Sequence, residues 1–131
     1  MRKVIVESPY ACPVKCEDSL RLFGGLCRHA ERNVAYTRLC LRDCFLRGEA
    51  PFASHLLYTQ PNVLDDAVPE ERKLGIEAGF EWRSSAEATV VYTDLGTSRG
   101  MMFGIEHAQK QGRLIEYRTL TKVLLEKLPP P

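Results

Sequence analysis

The sequence predicts an α/β fold: one domain on an open, mainly parallel sheet of about four to five strands, flanked by helices. Three observations point there. Short apolar runs alternate with helical patterns along the chain. The first run, Val4-Ile5-Val6, is continuously apolar, as in strands covered on both faces. A length of 131 residues fits a single domain over 1–131 whose core needs neither metal nor disulfide.

Residues 3–7 form the expected first strand, ended by Ser8-Pro9-Tyr10. Residues 11–28 read as an irregular insertion rich in Cys and Gly, with a helical turn around 19–23 broken by Gly24-Gly25. A helix is expected over 31–47, where Val34, Leu41, Cys44 and Phe45 recur at helical spacing and Gly48 supplies a stop. The short apolar stretch 50–54 is the second strand, reached by a right-handed crossover. A long loop carrying His55, Tyr58 and Leu64-Asp65-Asp66 ends at Pro69-Glu70-Glu71, where Pro and acids suit a first helical turn. That helix reaches about residue 83, with Leu74, Ala78 and Trp82 one turn apart and Gly75 and Gly79 permitting close approach. Residues 88–93 give a third strand, and 101–111 a helix with Met101, Ile105 and Ala108 facing the core. Residues 114–118 give a fourth strand, 121–128 a final helix and 129–131 a proline tail.

The charge balance excludes some partners. Eighteen Lys+Arg against 17 Asp+Glu give net +1, with no electrostatic footprint for a nucleic-acid backbone or an anionic membrane. A ligand would be met locally, in a pocket. The N-terminal residues lack the apolar core of a secretion signal and no run is long enough to span a bilayer, so a cytoplasmic protein is expected, in the host cytoplasm if phage-encoded. The five cysteines (Cys12, Cys16, Cys27, Cys40 and Cys44) include two C-x3-C spacings near His29. Zinc sites usually show tighter knuckles, and Cys40 and Cys44 stand one helical turn apart in an amphipathic pattern. Packing explains them better, and neither metal nor cofactor is expected.

The most informative segment is Asp94-Leu95-Gly96-Thr97-Ser98-Arg99-Gly100, a strand-to-helix turn. Its glycines let the backbone approach a ligand, Thr97 and Ser98 supply hydroxyls, Arg99 supplies charge, and the amides opening the next helix favour an anion. A purely structural turn also uses Gly and a Ser cap. Ligands of open α/β sheets bind beyond the carboxyl ends of the strands, and the distinctive polar residues gather there. The expected ligand-binding set is Ser8, Pro9, Tyr10, His55, Asp94, Gly96, Thr97, Ser98, Arg99 and Gly100. The plainer account is that loops are polar anyway. Other plain readings are that His55 bonds a loop carbonyl, Trp82 serves the core or a subunit interface, Asp65-Asp66 is a helix-entry turn, residues 70–73 are a solvated face, and His107 is exposed beside Glu106.

Residues 3–118 resemble the nucleoside 2-deoxyribosyltransferase-like superfamily, in particular its small phage and bacterial members of unknown function. The resemblance rests on Ser8-Pro9-Tyr10 after the first strand, Asn33 and its helix, Ala53-Ser54-His55-Leu56-Leu57-Tyr58, Leu64-Asp65-Asp66 before Pro69-Glu70-Glu71-Arg72, and Ser98-x-Gly100-Met101 leading into Ile105-x-x-Ala108. It implies a Rossmann-like fold, a homo-oligomer, and a pocket for a nucleotide or nucleoside-type small molecule. Enzymes of the superfamily cleave an N-glycosidic bond with a helix glutamate, a tyrosine and an aspartate. Tyr10 matches the tyrosine and Asp65 or Asp66 the aspartate, but the glutamate position is Gly104. Glu106, two residues on, is turned about 200° around the helix. Glu7, Asp65 or Asp94 would have to replace the missing acid, which gives Tyr10, Asp65 and Asp94 as candidate catalytic residues. Loss of a carboxylate at 104 is expected to open room for a bulkier or more phosphorylated guest. The favoured expectation is therefore a binding protein, such as a phage protein sequestering a nucleotide immune signal. The alternatives are an N-glycosidase or deoxyribosyltransferase acting on a nucleoside monophosphate, and an interaction module using the segment from Cys12 to Cys27.

Overall fold

The computed structural model of the chain describes residues 1–11 and 27–131. Cys12, Cys16, the turn expected around 19–23 and nearly all of the insertion lie outside the described residues. The elements in chain order are β1 (Arg2–Glu7), α1 (Arg28–Leu46), β2 (Glu49–Phe52), α2 (Ser54–Leu57), α3 (Pro69–Arg83), β3 (Ala88–Tyr92), α4 (Arg99–Lys110), β4 (Leu114–Arg118) and α5 (Lys122–Leu125). The four strands pair in the order β2-β1-β3-β4, all parallel, with Arg2 opposite Glu49, Glu7 opposite Val91, and Tyr92 opposite Arg118. This is the Rossmann-like α/β sheet expected, with helices on both faces.

Alternation along the strands assigns the faces. Val4, Val6, Ala88, Val90 and Tyr92 pack with Tyr36, Cys40 and Cys44 of α1 and with Leu120 and Leu124. The opposite face sets Val91 and Ile115 against Met101 and Ile105 of α4. β3 is buried throughout, as a central parallel strand must be.

Two helices depart from the apolar spacing, α1 in part. In α1 Val34 and Cys44 are buried and Leu41 packs against the core as expected, but Phe45 is 56% exposed, and Asn33, Tyr36, Thr37 and Asp43 are buried as well. The buried face therefore includes polar residues that an apolar pattern leaves out. In α3 Leu74 and Trp82 are exposed, Trp82 resting near Phe52 at 6.2 Å between ring centres. What α3 buries is Gly79 and Arg83. A Cβ at Gly79 would lie 2.8 Å from Ser54 Oγ, so the close approach of α3 to α2 requires glycine there. No helix among the described residues is long and apolar enough to cross a membrane.

Candidate functional site

The sheet order reverses direction between β1 and β3, because the chain leaves β1 for β2 on one side and returns to β3 on the other. Loops diverge at such a point and leave a crevice. A cavity of about 620 Å³ opens there, within the size range of small-molecule sites. Ser8, Pro9 and Tyr10 after β1, His55 at α2, and residues 96–100 after β3 all line it. Tyr10, His55 and Arg99, from three separate strand ends, therefore border one recess.

The two remaining predicted site residues are placed elsewhere. Asp94 does not line the cavity; its Oδ2 accepts from the Tyr36 hydroxyl at 2.6 Å and from the Leu120 amide at 3.0 Å. It fastens the β3 loop to α1 and to the segment before α5. Asp65 Oδ1 accepts from the Ala67 amide at 2.9 Å, while its neighbour Asp66 lines the cavity with Glu71 and Arg72. The supposedly solvated start of α3 thus contributes two residues to the wall.

The β3 loop has the local geometry of an anion site. Gly96 adopts φ +83°, in the left-handed region that glycine enters without strain, and its amide closes a turn onto the Thr93 carbonyl. Ser98 caps α4 by accepting from the Met101 amide at 3.3 Å. Its hydroxyl therefore serves the helix as well as facing the cavity. The amides of Arg99 and Gly100 find no acceptor among the described residues. They point out of the positive end of a 12-residue helix. The Arg99 guanidinium rests 5.9 Å from the Phe103 ring centre, beside the same opening.

The floor holds a buried ion pair. Glu7, at the end of β1, is 4% exposed, and its Oε1 lies 2.6 Å from Nη2 of Arg83, the last residue of α3. Oε1 and Arg83 Nε and Nη1 are buried with no hydrogen-bond partner among the described residues, so the contact holds as an ion pair. Burial pushes the Glu7 carboxyl up to about 7, against the opposing charge of Arg83. The room expected at Gly104 is not vacant. A Cβ built there would collide with the Glu7 carboxylate and come within 2.6 Å of Arg83 Nη1. The absence of a side chain at 104 makes space for a carboxylate delivered from β1, which corrects the expectation of room for a larger guest.

One wall is a chain of hydroxyls ending on His55. Ser8 Oγ lies 2.7 Å from Thr37 Oγ1 and 3.0 Å from His55 Nε2, and Thr37 donates to the Asn33 carbonyl at 3.0 Å. His55 thus bonds a serine hydroxyl rather than a loop carbonyl through Nε2. Burial and the charge of Arg83 pull its imidazole down to about 4, so the ring is neutral at physiological pH. Asn33 Nδ2 donates to the Tyr10 carbonyl at 3.1 Å and the Ala11 carbonyl at 3.2 Å, holding the segment that presents the Tyr10 ring edge-on to His55.

Arg83 and Thr37 escape a reading of the sequence. Arg83 looks like an ordinary cation at a helix C-terminus, and Thr37 like a weak helix former on a solvated face. The available signal was polar residues at i and i+4, Asn33 and Thr37, within an otherwise apolar helix stripe. His107 departs from its expectation too: it stacks on Phe80 at 4.2 Å, and Phe80 in turn lies under Arg83 at 5.1 Å. Among the described residues no group of three or more His, Cys, Asp or Glu is placed to hold a metal ion.

Comparison with known proteins adds a family. The chain belongs to a family described as a domain of unknown function (DUF7768), whose model matches residues 2–118 and so includes all four strands and the cavity. No curated protein matches the chain.

Proposed function

We propose that this member of the DUF7768 family binds a nucleotide or nucleoside derivative, and that it does so with the fold and pocket of the nucleoside 2-deoxyribosyltransferase-like superfamily that its motifs resemble. The observation that carries the reading is the convergence of Tyr10, His55 and Arg99 on one cavity whose rim is the start of α4. The amides of Arg99 and Gly100, which have no acceptor among the described residues, the helix dipole and the Arg99 charge suit a phosphate. The apolar and aromatic groups Tyr10, Ile76, Phe80 and Phe103 suit a base or sugar. In a phage this would be a means of sequestering a nucleotide signal of host immunity. Oligomerisation and a cytoplasmic location belong to the same reading.

Titration calorimetry with nucleoside monophosphates, ADP-ribose and cyclic dinucleotides tests it. At least one should bind tighter than about 1 mM, and Arg99→Ala should weaken that binding about fivefold to tenfold, the effect of one charge-assisted contact at a partly exposed site. No binding across the set would sink the proposal.

One observation favours a second reading, hydrolysis or transfer at an N-glycosidic bond. Glu7 lines the cavity and brings a carboxyl with a raised pKa to the place where Gly104 leaves room. A carboxylate below an anomeric carbon can form a glycosyl ester as the base departs. Release of free base from a nucleoside monophosphate, abolished by Glu7→Gln, would establish this reading; no release from any of them would remove it.

A further inference from the structure

We propose that His55 is a fixed hydrogen-bond acceptor in the cavity, its Nδ1 reading an O–H or N–H donor on the bound ligand. This deepens the ligand-binding reading and rests on it.

Thr37 Oγ1 gives its proton to the Asn33 carbonyl, one turn back in α1, at 3.0 Å. With that proton committed, the 2.7 Å contact between Thr37 and Ser8 needs the proton of Ser8, so Ser8 is the donor and Thr37 the acceptor. Ser8 then has no proton left for His55. The 3.0 Å contact between Ser8 Oγ and His55 Nε2 is satisfied only if Nε2 carries the hydrogen. The reverse assignment, with Thr37 donating to Ser8 and Ser8 donating to His55 Nε2, would give up the 3.0 Å bond from Thr37 to the Asn33 carbonyl.

A neutral ring protonated at Nε2 has a bare lone pair at Nδ1. Burial and Arg83 keep the ring neutral, as described above. The hydrogen bonds of the His55 ring among the described residues all run through Nε2, and the residue is only half-buried. His55 itself lines the cavity. Glu7, whose carboxyl forms the floor, lines the same cavity. A part of the ligand presenting donors is the complement of such a surface, and two common groups supply them: a sugar hydroxyl and an amino group on a base.

Three measurements decide the matter. Nitrogen-15 NMR of the His55 ring in the ligand-free protein should show hydrogen on Nε2; hydrogen on Nδ1 overturns the proposal. In Thr37→Val the Ser8 hydroxyl loses its acceptor and should turn to donate to His55, moving the ring hydrogen to Nδ1. A ring that stays protonated at Nε2 in that variant contradicts the hydroxyl chain. Titrations then pair ribose 5-phosphate with its 2-deoxy and 3-deoxy analogues, and adenosine monophosphate with purine riboside monophosphate, which lacks the amino group. In the protein as it stands, one series should lose at least about tenfold in affinity when the donor is removed, and Thr37→Val should erase that preference. Loss in the first series marks a sugar hydroxyl as the donor, and loss in the second marks a base amine. Equal affinities within both series overturn the inference and leave ligand binding standing. Failure of every one of these compounds to bind removes both.

Discussion

Gly104 is the residue on which the floor of the cavity depends. Its missing Cβ is the space that the Glu7 carboxylate and Arg83 Nη1 occupy. Gly104→Ala gains about 1 kcal/mol of helix propensity, but it displaces a buried ion pair at a cost of about 1–3 kcal/mol. We expect a net loss of up to about 2 kcal/mol by urea denaturation, whereas a net gain of about 1 kcal/mol would show that the carboxylate is not seated there. His55 gives a pH signature. Folding lowers its pKa from an ordinary 6.5 to about 4. The stability this represents is fully present above pH 6.5 and is lost as pH falls through about 4. Glu7 acts oppositely: its raised pKa contributes stability below its ordinary value of 4.5, which is lost as pH rises through about 7. Comparing the parent with His55→Gln isolates the histidine. The difference in stability between them should change by up to about 1.4 kcal/mol per pH unit over pH 4–6.5, and parallel curves would refute the lowered pKa of the ring. At this scale Tyr10, His55 and Arg99 were legible because polar residues at strand ends need a reason. Arg83 was not, since nothing in the residues of α3 announces that its last side chain turns inward to meet β1.

Among the elements, the strands were the easiest to read. β-branched, apolar runs such as 88–92 can only be covered strands, and β3 is buried along its whole length. The helices were harder in phase than in existence, because Asn33, Thr37 and Asp43 are buried through hydrogen bonds that an apolar pattern ignores. The same blindness hid the bracing of the sheet. Arg118 on β4 bonds both oxygens of Glu49 on β2 at 2.7 Å, and Glu116 at 2.8 Å; Arg2 on β1 closes the ring onto Glu49 at 2.6 Å and Glu116 at 2.8 Å. The network links the two edge strands of the sheet across the strands between them. Removing one partner of a buried pair leaves the other charge uncompensated. Arg118→Met should therefore cost about 3 kcal/mol, the lower end of the usual range because Arg2 still answers Glu49. Glu49→Gln in the same chain should recover part of that loss, and strictly additive losses would deny the coupling.

For the molecule as a whole, a net charge of +1 leaves no long-range field to gather a polyanion. On the proposed reading an anion is recognised by the short-range donors at the start of α4. The order of elements made the crevice legible in advance: a strand order that reverses at β1 opens it at the C-terminal ends, where the distinctive loop lies. What fills the floor was not legible, because Glu7 and Gly104 are far apart in sequence and meet only through the packing of α4 on the sheet. The most direct test of a single ligand cavity is backbone NMR during titration with a nucleoside monophosphate and with ADP-ribose. The account predicts that the amides of Ser8, Tyr10, His55, Gly96, Arg99 and Gly100 shift together along one saturation curve. Shifts confined to other surfaces, or none from either compound, would contradict it.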